Sequence, residues 1–303
     1  MDFRLTEDQL TLETAIEGLS QRFKEKPVEF HGMVLASPEL DQELTESEFF
    51  DIAAIPDLGP VSAALAVERL ARLPFTAEIA LSMLVRPHLK DGALPRPFAI
   101  VEQGRPGRFV ARAKTVLVVD GDSVGIAHPP EGSGEEVDTL YAYPMARMAA
   151  GVEVTPLSAE EAAEAKKWIR VALAAEMAGL IQAAIDSTVE HISVRKQFGR
   201  PIGTFQALRH RIAECQVLAG GVRWLALKAA STCDAGDAAL AAFHAQESAT
   251  RVAYDTHQML GAMGMTLEHP LHLWTYRMKA LTSELGGRGG QAGAVAQLCF
   301  GAA

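Results

Sequence analysis

The spacing of apolar residues divides the chain into three stretches. Over residues 1–92 apolar positions recur every three to four residues, the period of helices packed on one face. Thr6 followed by Gln9 has the form of a capping box, and the helix it opens is predicted to reach about Lys26, ahead of Pro27. Further helices are predicted over about 45–55, 61–73 and 76–89, with Pro60, Pro74 and Pro87 as boundaries.

Over residues 93–156 the period shortens. Pro97–Glu102, Arg108–Val119 and Ser123–Ala127 are short, rich in β-branched residues and separated by Gly, Pro and Asp, with Asp120-Gly121-Asp122 as a turn. From 157 to 303 the chain is helical and Ala-rich. Ser158 and Glu161 form a second capping box, and the helix it opens is predicted to run to Phe198, roughly 40 residues and about 60 Å. Gly199 suits a left-handed helix end and Pro201 forbids continuation. Thr204 is expected to cap a helix to about Cys233, and another is expected from about Asp237 to Met259, giving an antiparallel bundle. The expected fold class is mainly α, with a helical domain (1–92), a small β domain (93–156) and a C-terminal helical bundle (157–303).

Composition narrows the function. The formal net charge is −10, which disfavours a general nucleic-acid binder. The three cysteines are far apart and form no CxxC pair, as expected of a reducing cytoplasm. The start, MDFRLTEDQL, has no apolar leader, and no run of about 18 apolar residues stands out, so no membrane span is expected.

Three motif matches carry little chemistry. Gly121–Gly125 has the letters of a nucleophile elbow around Ser123, but the Pro-Pro that follows cannot open a helix. Gly287–Ala292 matches G-x-G-x-x-A but follows a helical segment and lacks the later acid. His269 and His272 are separated by Pro270 and have no carboxylate-rich neighbour, so a metal site is not expected.

One stretch is different. Arg195–Pro201, RKQFGRP, places three cations and an aromatic ring in seven residues. Residues 179–213 and the later stretch 258–277, QMLGAMGMTLEHPLHLWTYR, together resemble the C-terminal domain of the acyl-CoA dehydrogenase family. The shared patterns are R-x-x-F-G-x-x-I-x-x-F-Q and Q-x-x-G-x-x-G before a Tyr-Arg pair. The resemblance implies an N-terminal helical domain, a middle β domain and a four-helix bundle, with FAD removing two hydrogens across Cα–Cβ of an acyl-CoA thioester. It also implies that the two motifs cap the pyrophosphate and adenine half of the FAD of a neighbouring subunit. On this basis Arg195, Gln197, Phe198, Gln258, Leu260 and Gly261 are the cofactor-binding candidates, with Arg195 on the pyrophosphate. Ala262 stands where the pattern has a second glycine.

The same resemblance marks what the chain lacks. The family's catalytic glutamate falls at Gly286, and the alternative position on the long helix falls at Ile169. Neither can take a proton. Glu284 is the nearest acid, and on a continuous helix it would face the other side. The β domain is also short. The resemblance implies a degenerate subunit of a heteromeric acyl-CoA dehydrogenase, similar to the paired enzymes of bacterial steroid side-chain degradation. A catalytic partner would supply the base and the acyl-CoA site, and FAD would be shared, in an α2β2 heterotetramer. Three readings stay open beside it: a self-sufficient enzyme using Glu284, a non-catalytic scaffold, and a hydrolase using Ser123.

Overall fold

The computed structural model describes residues 4–24, 35–89, 94–102 and 104–301. The predicted helix end at Lys26 and the boundary at 92/93 lie outside these residues. Helix α1 (Glu7–Lys24) opens on the reciprocal bonds of Thr6 and Gln9, at 3.0 and 3.3 Å. Helix α2 (Pro38–Glu46) is capped by Ser37 and stops where Glu48 takes a positive φ of 56°. The helix expected over 45–55 is therefore only a short 3-10 segment, Phe49–Ala54. Helix α3 (Gly59–Ala71) forms as expected, but the stretch 76–89 contains only α4 (Ala80–Leu84) and a 3-10 turn at Arg86–His88. The reason is the buried Glu78 carboxylate, which accepts the backbone N–H groups of Ser82 (3.1 Å) and Phe98 (3.0 Å) and so replaces helical carbonyl acceptors.

A four-stranded sheet follows, in the order β1 (Phe98–Glu102), β3 (Thr115–Asp120), β4 (Ser123–Ala127), β7 (Val154–Pro156). β1 and β3 run parallel and the other pairs antiparallel. β2 (Gly107–Arg108), β5 (Glu135–Glu136) and β6 (Met145–Arg147) make a smaller sheet. The expected continuous strand over 108–119 is broken by Phe109, at φ 62°, and a 3-10 turn. Ser123 opens β4 directly across from Asp120, so it sits in a hairpin and not on a strand-to-helix elbow.

Helix α5 (Ala159–Val194) begins on the predicted capping box and is the axis of the fold. It ends four residues earlier than expected. The chain then forms a hairpin of β8 (Lys196–Gln197) and β9 (Arg200–Pro201), with Phe198 and Gly199 both at positive φ. Arg195 and Phe198 therefore belong to a turn and not to one helix face. Helix α6 (Gln206–Thr232) starts after Phe205, because the Thr204 hydroxyl bonds back to the Pro201 carbonyl and caps nothing. Helices α7 (Ala235–Leu260), α8 (His272–Leu281) and α9 (Gly287–Phe300) complete the bundle.

The side-chain pairs Gln182 with Gln216 and Lys228 with Asp237 make α6 antiparallel to both neighbours. The C-terminal ends of α5 and α7 thus meet at one end of the bundle. By length and composition α5 does qualify as a membrane-crossing helix, contrary to expectation, yet 89% of its apolar window is buried inside this fold. At Gly179 a Cβ atom would lie 2.1 Å from the Glu68 carbonyl oxygen, so glycine is what lets α3 lie against α5.

Gly179→Ala is expected to lower the unfolding free energy by at least about 1–3 kcal/mol, since the helices must separate to admit the methyl group; urea denaturation measures this. His88 stacks on Trp168 with ring centroids 3.6 Å apart. Burial lowers its pKa to about 4. The unfolded chain protonates this group near 6.5 and the folded chain does not, so its contribution to stability is full above 6.5 and is lost as pH falls toward 4. Thermal melts across that window are expected to fall more steeply with acid for the wild type than for His88→Gln.

Candidate functional site

The cofactor candidates gather at the end of the bundle where α5 and α7 terminate. Arg195 follows the last turn of α5, its N–H bonded to the His191 carbonyl at 2.9 Å, while its own carbonyl accepts the Ile202 N–H at 2.8 Å. The backbone is thus fixed from both sides, but the guanidinium is exposed and has no hydrogen-bond or ion-pair partner among the described residues. Gln197 and Gln258 are likewise exposed and unpartnered. Phe198 is 90% exposed and meets Phe205 ring to ring in a T-shape, 6.0 Å between centroids. Arg200 stacks over Phe205 at 4.2 Å. Leu260 differs: its side chain is in the core, so only its backbone reaches this edge. Gly261 sits at φ 60° with open space where a Cβ would point.

Such an edge is costly to leave bare. A large apolar ring normally finds cover, and three unpartnered polar groups beside it suit an anionic, flat ligand. The donor set fits a nucleotide diphosphate: Arg195 for a phosphate, Gln197 and Gln258 for polar edges, Phe198 for a face. Among the described residues, nothing encloses such a group there.

The base positions lie elsewhere, at the seam between the β layer and the bundle. Ile169 is buried in the core and Gly286 lines a cleft of about 580 Å3 with Lys166, Arg170, Gly290 and Gly293. The acids on that cleft, Asp122 and Glu102, are ion-paired, to Lys166 at 2.8 Å and to Arg105 at 3.3 Å.

Glu284 does not continue a helix. Leu285 takes a positive φ of 56°, the backbone kinks, and the carboxylate swings inward to Arg108. Arg108 Nε donates to Oε1 at 2.6 Å and a terminal nitrogen donates to Oε2 at 3.2 Å, so both oxygens are engaged. The other terminal nitrogen of Arg108 donates to both oxygens of Glu176, at 3.0 and 3.2 Å. The Tyr143 hydroxyl donates to Glu176 at 2.6 Å, with its ring 4.7 Å from the guanidinium. Burial works against the charge on Arg108, but Glu176 and Glu284 outweigh it and hold its pKa well above the ordinary value. Burial lifts the Glu284 carboxyl above the usual range, against the pull of Arg108. The space beside Arg108 and Glu176 is about 10 Å3, room for one water at most.

Arg108, Glu176 and Tyr143 were not apparent as site residues in the sequence. Glu176 did leave a trace, being the one acid inside the apolar run 171–185, and it lies seven residues, two helical turns, from Ile169 on the same face. His269 and His272 are brought together with His191 and His257, but no metal-binding group of three or more His, Cys, Asp or Glu occurs among the described residues. The G-x-G-x-x-A letters begin α9 after a 3-10 turn, with no strand before them.

Comparison with known proteins agrees with this architecture. Residues 161–297 match the acyl-CoA dehydrogenase C-terminal domain. Acyl-CoA dehydrogenase FadE34 of Mycobacterium tuberculosis is 35% identical over 161 residues, covering 50% of this chain and 22% of that protein. The chain spans between 22% and 37% of the length of the first curated relatives it matches. The ChsE4-ChsE5 complex from Mycobacterium tuberculosis superposes with a TM-score of 0.78 at 19% identity, over 100% of both chains. The Tcur3481-Tcur3483 steroid acyl-CoA dehydrogenase (ACAD) G363A variant superposes at 0.74 and 19% identity, over 97% of this chain and 98% of that one. The chain has the mainly α, three-part fold of these structures, and its residues 161–297 are similar to the acyl-CoA dehydrogenase C-terminal domain.

Arg108→Met is expected to lower the unfolding free energy by about 3–5 kcal/mol, because it strands two buried carboxylates. Replacing Arg108, Glu176 and Glu284 together by apolar residues of similar volume is expected to recover most of that loss. Denaturant titration of the single and triple variants tests both.

Proposed function

We propose that this chain is the non-catalytic subunit of a heteromeric FAD-dependent acyl-CoA dehydrogenase, closing the nucleotide half of FAD held by a catalytic partner. The observation that carries this is a contrast within one chain. Among the groups suited to a nucleotide, Arg195, Gln197 and Gln258 are exposed and have no side-chain hydrogen-bond partner among the described residues and Phe198 is exposed, whereas the groups where a proton would be taken are absent or engaged. The likeness to the ChsE4-ChsE5 and steroid ACAD complexes supports both the heteromeric assembly and a steroid side-chain CoA ester as substrate class. An α2β2 heterotetramer gives each copy of this chain one partner site to close.

In this reading FAD supplies the hydride acceptor for α,β-desaturation of the acyl-CoA, and the partner supplies the base and the acyl-CoA site. Arg195 neutralises phosphate charge, with the hairpin backbone fixing its origin so that little ordering is needed on binding. Gln197 and Gln258 hydrogen-bond the polar rim. Phe198 packs on the nucleotide and excludes water, which strengthens the Arg195 contact. The second reading, a self-sufficient enzyme using Glu284, is favoured by the lifted carboxyl and by a cavity of about 260 Å3 that Glu284 lines. The two-point clamp of Arg108 opposes it, since a base needs a free oxygen.

Flavin absorbance decides between them. The expected result is a colourless chain when expressed alone and one FAD for each pair of unlike chains in the complex; one FAD per chain from this protein alone, with turnover lost in Glu284→Gln, sinks the proposal. In the complex, Arg195→Ala is expected to weaken FAD binding by about 10- to 100-fold, the scale of one charge-assisted hydrogen bond of roughly 1.5–3 kcal/mol.

A further inference from the structure

Four histidines join the two arms of the nucleotide-capping edge. His191 lies in the last turn of α5, one turn before Arg195. His257 lies in the last turn of α7, next to Gln258. His269 comes from the loop after Gly261–Met265 and stands against His191, ring to ring at 5.2 Å and 90°. His272 opens α8 and donates from Nδ1 to the His269 carbonyl at 2.9 Å.

The hydrogen bonds fix protonation states. Nδ1 of His269 accepts the Leu271 N–H at 3.2 Å, so that nitrogen carries no proton. Protonating it sets two donors against each other and breaks the contact that turns the loop into α8. His257 donates from Nδ1 to the Gly264 carbonyl at 2.5 Å, while Nε2 meets the Thr275 hydroxyl at 2.9 Å, which ties the Gly261–Met265 turn to α8. The groups acting on these rings are His191 and Arg195 from the α5 end, His257 from α7, and His272 and Lys279 from α8; every one is a base. A proton arriving on His269 therefore meets repulsion from each side. Burial and these neighbours lower its pKa to about 4.

We propose that His191, His257 and His269 are positioning residues that form a pH-sensitive clasp, holding the Arg195 hairpin and the Gln258–Gly264 turn in register while neutral and releasing them on protonation. The inference rests on the capping role proposed above. The neutral clasp is complete above pH 6.5 and opens as pH falls toward 4, because the native state excludes protons that the opened loop accepts. Nucleotide affinity falls with it, although the phosphate contact belongs to Arg195.

The test is FAD affinity of the co-expressed complex between pH 7.5 and 4.5, for wild type, His269→Gln, His191→Gln and Arg195→Ala, with imidazole NMR titration of the same samples. The wild type is expected to lose about tenfold or more in affinity across the range, and both histidine variants to show a shallower slope. Arg195→Ala with wild-type affinity at pH 7.5 overturns the capping role itself. Arg195→Ala weakened, but with histidine variants parallel to wild type, overturns the clasp alone. If His269→Gln does not fold, His191→Gln and the wild-type titration still decide: a His269 midpoint near 6.5 overturns the clasp, and one near 4 supports it.

Discussion

One guanidinium governs how the layers of this protein meet. Arg108 comes from a two-residue strand and bonds at once to Glu176, in the middle of the longest helix, and to Glu284, in the kink before the last one. Arg108 and Glu176 are buried and Glu284 is largely so, so none can be lost singly without stranding the others. This constraint gives the seam its direction and closes it. A second arginine, Arg277, lies near Glu176 and Tyr143 and donates to the carbonyls of Leu73 (2.6 Å), Phe75 (3.3 Å) and Leu273 (2.7 Å), tying α8 to the segment that follows α3.

A second open edge lies at the bundle end. From Glu176 to Arg195 is nineteen residues, about 28 Å along α5. The same helix therefore carries a filled interior at its middle and an unpartnered cation at its end. The parallel course of α5 and α7 brings Arg195 and Gln258, far apart in sequence, to one edge, with His191, His257 and His269 between them.

Much of this was legible in the chain. The capping boxes at Thr6 and Ser158 are local, relating a hydroxyl to an N–H three residues on, and both form as written. The long apolar helix and the switch to a two-residue period near 97 follow from side-chain periodicity alone. What failed were predictions in which a distant group competes with local preference. The helix expected over 76–89 yields to the buried Glu78, whose partner Phe98 is twenty residues away. The helix expected to reach Phe198 stops at Val194, because the hairpin pairs Lys196 with Pro201. Glu284, expected to face the wrong side, is turned by one left-handed residue.

By itself, then, the sequence determined the order of a helical, a β and a second helical stretch, the family its motifs match, and the absence of acid at positions 169 and 286, since each depends on residue type and short-range spacing. Only the tertiary structure decided where the surviving charges go. Arg108, Glu176 and Glu284 are separated by 68 and 108 positions along the chain, and pairing over such distances is set by which layers pack, not by any local pattern. The same holds for the exposed Arg195: sequence names the residue, but its lack of a hydrogen-bond or ion-pair partner among the described residues is a property of the folded surface.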